Sequence, residues 1–89
     1  SFRKLKLRKT VFQKCDLREA DFTETDLSGS SFAECDLLLA LFHHTNLENA
    51  DLRSAFNYSI NPGDNRLRKA KFSMNGLGGL LDCYGIEIE

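Results

Sequence analysis

Every fifth residue from Phe2 to Leu52 is phenylalanine or leucine: Phe2, Leu7, Phe12, Leu17, Phe22, Leu27, Phe32, Leu37, Phe42, Leu47 and Leu52. Two places before each centre from Leu7 onward stands Leu5, Thr10, Cys15, Ala20, Thr25, Ser30, Cys35, Ala40, Thr45 or Ala50, small in every case but the first. A helix returns to the same face about every 3.6 residues and a strand every 2, so neither keeps a five-residue series on one side over this length. The chain is therefore read first as a repeat protein. Regular large side chains with small partners suit a narrow lumen: the centres supply apolar area worth roughly 25 cal/mol per Å² buried, and the partners leave room at the corners.

Cys15-Asp16-Leu17-Arg18-Glu19, Ala20-Asp21-Phe22-Thr23-Glu24, Thr25-Asp26-Leu27-Ser28-Gly29 and Ala50-Asp51-Leu52-Arg53-Ser54 follow one formula: small, Asp or Asn, Leu or Phe, then two more residues, mostly polar. This pattern resembles the pentapeptide-repeat family. The resemblance implies an all-β fold, a right-handed four-sided β-helix in which each unit forms one side and four units close a coil. Centres and small residues then point inward, and the other three positions face water. Under that register Phe2, Phe22 and Phe42 form one column, Phe12 and Phe32 a second, and Leu7, Leu27 and Leu47 a third, with coils about 4.8 Å apart.

Three regions are expected: the repeat over 1–56, a loop plus a last partial coil over 57–73, and a C-terminal cap over 74–89. The dense turn signal Asn61-Pro62-Gly63-Asp64-Asn65 marks the loop, and Ala70-Lys71-Phe72 returns to the repeat phase. In the cap, Asn75 is expected to begin a short helix that ends at Gly85, with Ile86 and Ile88 in a terminal strand. The cap residues Leu77, Leu80, Leu81, Tyr84, Ile86 and Ile88 either plug the last coil or pair two copies, since this helix-plus-strand end resembles the dimer-forming end of quinolone-resistance members of the family. Ser1-Phe2-Arg3-Lys4 already lies inside a repeat, which suggests a piece of a longer solenoid.

A net charge of −1 conceals segregation along the chain. Residues 1–14 carry +6, residues 16–51 carry −8, residues 52–72 carry +4 and the remainder carries −3. The expected partner-binding surface is an acidic belt of Asp16, Glu19, Asp21, Glu24, Asp26, Glu34, Asp36, Glu48 and Asp51, which repels nucleic acid and attracts a basic groove. Resistance-conferring family members imitate DNA on the DNA-binding saddle of type II topoisomerases, so the resemblance implies DNA gyrase or topoisomerase IV as the protein partner. A competing explanation covers the aspartates: a short side chain before each centre hydrogen-bonds nearby turn backbone.

Leu38, Leu39 and Leu41 fall at outward positions, where neighbouring units are polar. They mark an apolar contact patch, unless the register slips there or the 57–66 loop folds over them. They offer a second mode of action, a scaffold that binds another protein, and a spacer within a larger protein is a third. His43 and His44 read as a solvated pair rather than a metal site, with Glu24 one coil away. Cys15 and Cys35, one coil apart, are expected as buried thiols. Cys83 belongs to the cap, either buried or exposed. No positioned base and nucleophile share a reachable site, so neither enzymatic activity nor a cofactor is expected. Neither a secretory signal nor a membrane-length apolar run is present, and three cysteines without paired spacing point to the cytoplasm.

Overall fold

The computed structural model describes all 89 residues as a short rod of 36 × 24 × 24 Å. Parallel backbone bridges join Lys6 to Asp26, Asp26 to Asn46 and Asn46 to Arg66, each pair twenty residues apart. A coil therefore closes after four five-residue units. Its four walls are centred on Phe2, Phe22 and Phe42 (wall 1), on Leu7, Leu27, Leu47 and Leu67 (wall 2), on Phe12, Phe32, Leu52 and Phe72 (wall 3), and on Leu17 and Leu37 (wall 4). Most walls are too short for more than one bridge before the chain turns. Only Val11–Gln13 (β1) and Ser31–Ala33 (β2) extend into strands, parallel and with Phe12 beside Phe32.

The lumen is filled as the five-residue period requires. Phe2, Phe22 and Phe42 stack at 4.9 and 5.2 Å between ring centroids, and Phe12 stacks on Phe32 at 5.1 Å. Across the lumen the two columns meet edge to face, Phe22 against Phe32 at 6.0 Å, the arrangement that ring quadrupoles favour. Leu27, Leu37, Leu47 and Leu52 are fully enclosed. The small inward positions also join coils. Thr25 Oγ1 donates to the Phe2 carbonyl at 2.6 Å, Thr45 Oγ1 to Phe22 at 2.7 Å and Ser30 Oγ to Leu7 at 2.7 Å, so these buried hydroxyls are satisfied. Cys35 is buried, Cys15 half-buried and Cys83 exposed, all as free thiols.

At most corners the small residue's N–H donates to the carbonyl of the preceding centre, as from Ala20 to Leu17 at 3.1 Å and from Ala40 to Leu37 at 3.0 Å. The residue just before it is left-handed, with φ of 62° at Glu19, 54° at Glu34 and 60° at Leu39. That combination is a type II turn, whose third position favours glycine. Replacing exposed, unpaired Glu34 by glycine is therefore expected to raise the unfolding free energy by about 0.5–1 kcal/mol, the relief of left-handed strain less glycine's added chain entropy. Urea denaturation followed by circular dichroism measures it, and an unchanged midpoint would contradict the turn assignment.

Residues 57–65 are not the loop excursion that their composition suggests. The bridge from Asn46 to Arg66 and the hydrogen bond from His44 N–H to the Asp64 carbonyl at 2.9 Å keep the twenty-residue register through them. With Asn57 and Pro62 at centre positions, Tyr58 turns inward from off register, and Ile60, large for the inward small-residue slot it occupies, is buried with it. Pro62–Asp64 make one 3-10 turn, capped by Asn61 Oδ1 accepting from Gly63 N–H at 2.9 Å.

The cap also departs from expectation. Met74–Leu80 and Asp82–Tyr84 are 3-10 segments, the first capped by Ser73 and not Asn75, with no side-chain capping bond. Three glycines within 76–79 disfavour a full α-helix. Gly85 ends the segment in the left-handed region, φ 63°. Residues 86–89 form no strand, and Ile86 and Ile88 are exposed. Of the six cap residues, Leu80 packs on the core and Leu81 is half-buried, whereas Leu77, Tyr84, Ile86 and Ile88 face solvent.

Candidate functional site

Each aspartate before a centre has a backbone duty. Asp16, Asp21, Asp26, Asp36 and Asp51 accept the N–H two residues on, from Arg18, Thr23, Ser28, Leu38 and Arg53, at 3.0–3.1 Å. Asn46 does the same for Glu48 at 3.0 Å. This is the Asx turn, which pays no heed to any partner.

Ion pairs then neutralise much of the belt. The first coil supplies Arg3 to Asp21 at 3.8 Å, Lys4 to Glu24 at 3.8 Å and Arg8 to Asp26 at 4.0 Å. Arg66 reaches back to Glu48 at 3.0 Å, and Arg18 and Arg53 close on Asp16 and Asp51 at 2.8 and 2.9 Å. Such exposed pairs contribute little stability, roughly 0–1 kcal/mol each, but they cancel field. Of the nine belt carboxylates only Glu19, Glu34 and Asp36 lack a cation within 4 Å. The segregation seen along the sequence is thus folded into alternating signs across neighbouring coils.

Side-chain and backbone hydrogen bonds from Arg18 hold the Asp16 carboxyl at about 2, below the ordinary 3.8. Asp21 is lowered by Thr23, and Asp51 by the Arg53 guanidinium. At Asp26, burial pushes the carboxyl up, but hydrogen bonds from Ser28 and the charges of Arg8 and Arg66 outweigh it. Because these acids are lowered in the folded chain, the unfolded chain takes up its protons first as pH falls. The stabilisation is complete above about pH 4 and fades toward about pH 2. The urea midpoint is expected to be flat from pH 7 to 5 and to fall below 4; a midpoint rising on acidification would contradict these bonds.

The unpaired carboxylates are gathered, not scattered. Glu19 and Asp36 lie on wall 4 and Glu34 at the corner leading into it, and Glu19 lines a hollow with Leu38 and Leu39. Those leucines are 44 % and 67 % exposed, with no register slip: Leu37 and Ala40 on either side of them remain buried. Leu41, 46 % exposed, is round the next corner on wall 1, so the three leucines do not form one patch. Beside Leu38 and Leu39 is Phe56, 46 % exposed, which bridges Asp36 one coil earlier and stands in the slot that holds Asp36, Asn46 and Asp51 in nearby units. Its place before the broken centre at Asn57 was the available signal. Leu38, Leu39, Phe56, Asn57, Tyr58 and the inner side of the cap, including Asp82, line a cleft of about 540 Å³. A second hollow, about 480 Å³, lies below the same leucines against Asp16, Arg18 and Glu19. Segment 57–66 leaves the leucines open.

His43 and His44 both turn to Asp64 of the next coil, Nδ1 to carboxylate at 3.0 and 3.5 Å, and not to Glu24, which is held by Lys4. The Tyr58 hydroxyl is buried beneath the cap without a hydrogen-bond partner, and burial raises its pKa.

A profile of pentapeptide repeats matches residues 1–33 and 20–56, eight copies in all. This chain belongs to the pentapeptide-repeat family. Among solved structures, this pentapeptide-repeat chain is similar to a pentapeptide-repeat protein from the thylakoid lumen of Arabidopsis thaliana, at 19 % identity over 78 % of this chain and 62 % of that one, TM-score 0.45. It is similar also to full-length QnrB1, a plasmid-mediated fluoroquinolone resistance protein, at 21 % identity over 91 % of this chain and 40 % of that one, TM-score 0.44. The pentapeptide-repeat chain therefore spans less than two thirds of either solved protein. Comparison with curated proteins found no match.

Proposed function

We propose that this chain is a non-enzymatic, right-handed solenoid of the cytoplasm that binds another protein through wall 4. The observation that carries the reading is the exposure of Leu38, Leu39 and Phe56 side by side on a rod whose other outward positions are mostly polar. Contiguous apolar surface of this kind marks contact sites more often than single exposed residues do. Selection of random peptides displayed on phage against the immobilised chain tests it. Enriched peptides should lose binding to the Leu38→Ser/Leu39→Ser variant; identical enrichment on both proteins would refute the reading.

A second reading is favoured by Glu19, Glu34 and Asp36, which remain unpaired on a rod 24 Å across. It makes the partner a basic DNA-binding groove, with DNA gyrase or topoisomerase IV as the specific candidate, quinolone protection as the outcome, and the cap as the point where two copies pair. Here Arg3, Lys4 and Arg8 act against binding, because they neutralise Asp21, Glu24 and Asp26. Replacing all three by glutamine should tighten association with gyrase at low ionic strength. A supercoiling assay with and without quinolone decides it: no inhibition and no protection at micromolar protein ends this reading.

A further inference from the structure

We propose that the cleft between wall 4 and the cap receives a short segment of a partner protein that carries aliphatic side chains next to lysine or arginine. This rests on the reading of wall 4 as a contact surface and adds the chemistry of what it contacts.

Leu38 and Leu39 form a ridge between two hollows, one toward the first coil and one toward the cap. The cap-side cleft, about 540 Å³, lies within the range of formed ligand pockets, about 300–1,000 Å³. Phe56 and Ala55 extend its apolar floor. Each hollow also presents one carboxylate without an ion pair, Glu19 below the ridge and Asp82 above it. The one cation lining either hollow, Arg18, is committed to Asp16 through two side-chain hydrogen bonds of 2.9 and 2.8 Å. The site is therefore apolar in the middle and anionic at both ends.

That charge pattern selects among occupants. A phosphate-bearing surface, whether nucleic acid or anionic lipid, meets repulsion at both ends. A second copy of this chain, docked about a two-fold axis, sets carboxylate against carboxylate, because a two-fold contact brings each surface onto itself. An aliphatic segment with a flanking cation satisfies both elements: its side chains cover the leucines while its charge meets Glu19 or Asp82.

The test uses the whole chain with labelled leucine methyl groups and three ten-residue peptides, alternating leucine with lysine, with glutamate or with serine. The leucine–lysine peptide is expected to shift the Leu38 and Leu39 methyl signals. Its affinity should fall roughly tenfold in Leu38→Ser/Leu39→Ser. In Glu19→Gln/Asp82→Asn it should fall several-fold, with a reduced salt dependence. All four positions face outward, so an unchanged circular dichroism spectrum confirms that each variant is folded. Equal methyl shifts with the glutamate or serine peptide would overturn the partner chemistry while leaving wall 4 as a contact surface. Binding without shifts at Leu38 and Leu39, or no shift with any peptide, would overturn both. Loss of self-association in the leucine variant by sedimentation would assign the wall to a second copy and overturn the proposal.

Discussion

Phe32→Ala is expected to lower the unfolding free energy by about 3–5 kcal/mol, a large share of what a domain of this size holds. Phe32 is fully enclosed, stacks on Phe12 at 5.1 Å and meets Phe22 edge-on at 6.0 Å. The cost of a large-to-small change depends on how far the surroundings can close over the void. Here closure is resisted. Phe32 N–H donates to the Asp51 carbonyl at 3.0 Å, and Ser31 N–H to Thr10 at 2.9 Å, so the wall is held by the coils on both sides. Phe2 at the rim is half-buried, and Phe2→Ala should cost much less, about 1 kcal/mol, because water fills the gap. Guanidinium denaturation followed by circular dichroism compares the two. Equal losses would mean that the lumen is not the rigid core described above.

Gly79→Ala should detach the cap. A methyl group at Gly79 would overlap the Tyr58 carbonyl oxygen and press on the Tyr58 ring. Neither can retreat easily, since the Gly79 carbonyl itself accepts the Ile60 N–H at 2.9 Å. Overpacking of this kind costs about 1–3 kcal/mol. The cap buries no residue fully, so the expected response is local opening before global unfolding. The Ile60 amide should then exchange with solvent much faster. Gly78→Ala is the matched control, because its methyl would meet only Ile88 Cδ1, at 3.9 Å. If both variants protect Ile60 equally, Tyr58 does not hold the cap.

The lumen was legible from sequence because one side chain in five is constrained by an axis that never changes. Columns such as Phe2, Phe22 and Phe42 follow once the five-residue count is joined to the four-unit coil that the family resemblance implies, and the aspartates' bonds follow from turn chemistry. The remaining features depend on neighbours a coil away. Cross-coil pairs such as Arg3 with Asp21 and Arg66 with Glu48 exist only once the twenty-residue closure is applied to charges. Tyr58 turns inward from an off-register position beside the lost centre Asn57, which no five-residue template finds. In the cap, Leu77, Leu80 and Leu81 suggest an α-helical stripe, whereas the glycines between them admit a tighter winding. Phe56 was hidden for a simpler reason: a single aromatic in a polar slot looks like noise until Leu38 and Leu39 stand beside it.

The four-unit closure also constrains how such a gene can change length. Adding or deleting five residues between Leu39 and Phe56 leaves the inward pattern intact, yet rotates everything downstream by a quarter turn, moving Phe56 and the cap away from Leu38 and Leu39. Only a change of twenty restores each wall to its own column. Length variants within that stretch that keep the wall-4 surface should therefore differ by whole coils, with quarter-turn variants folding well but presenting a different side to the world.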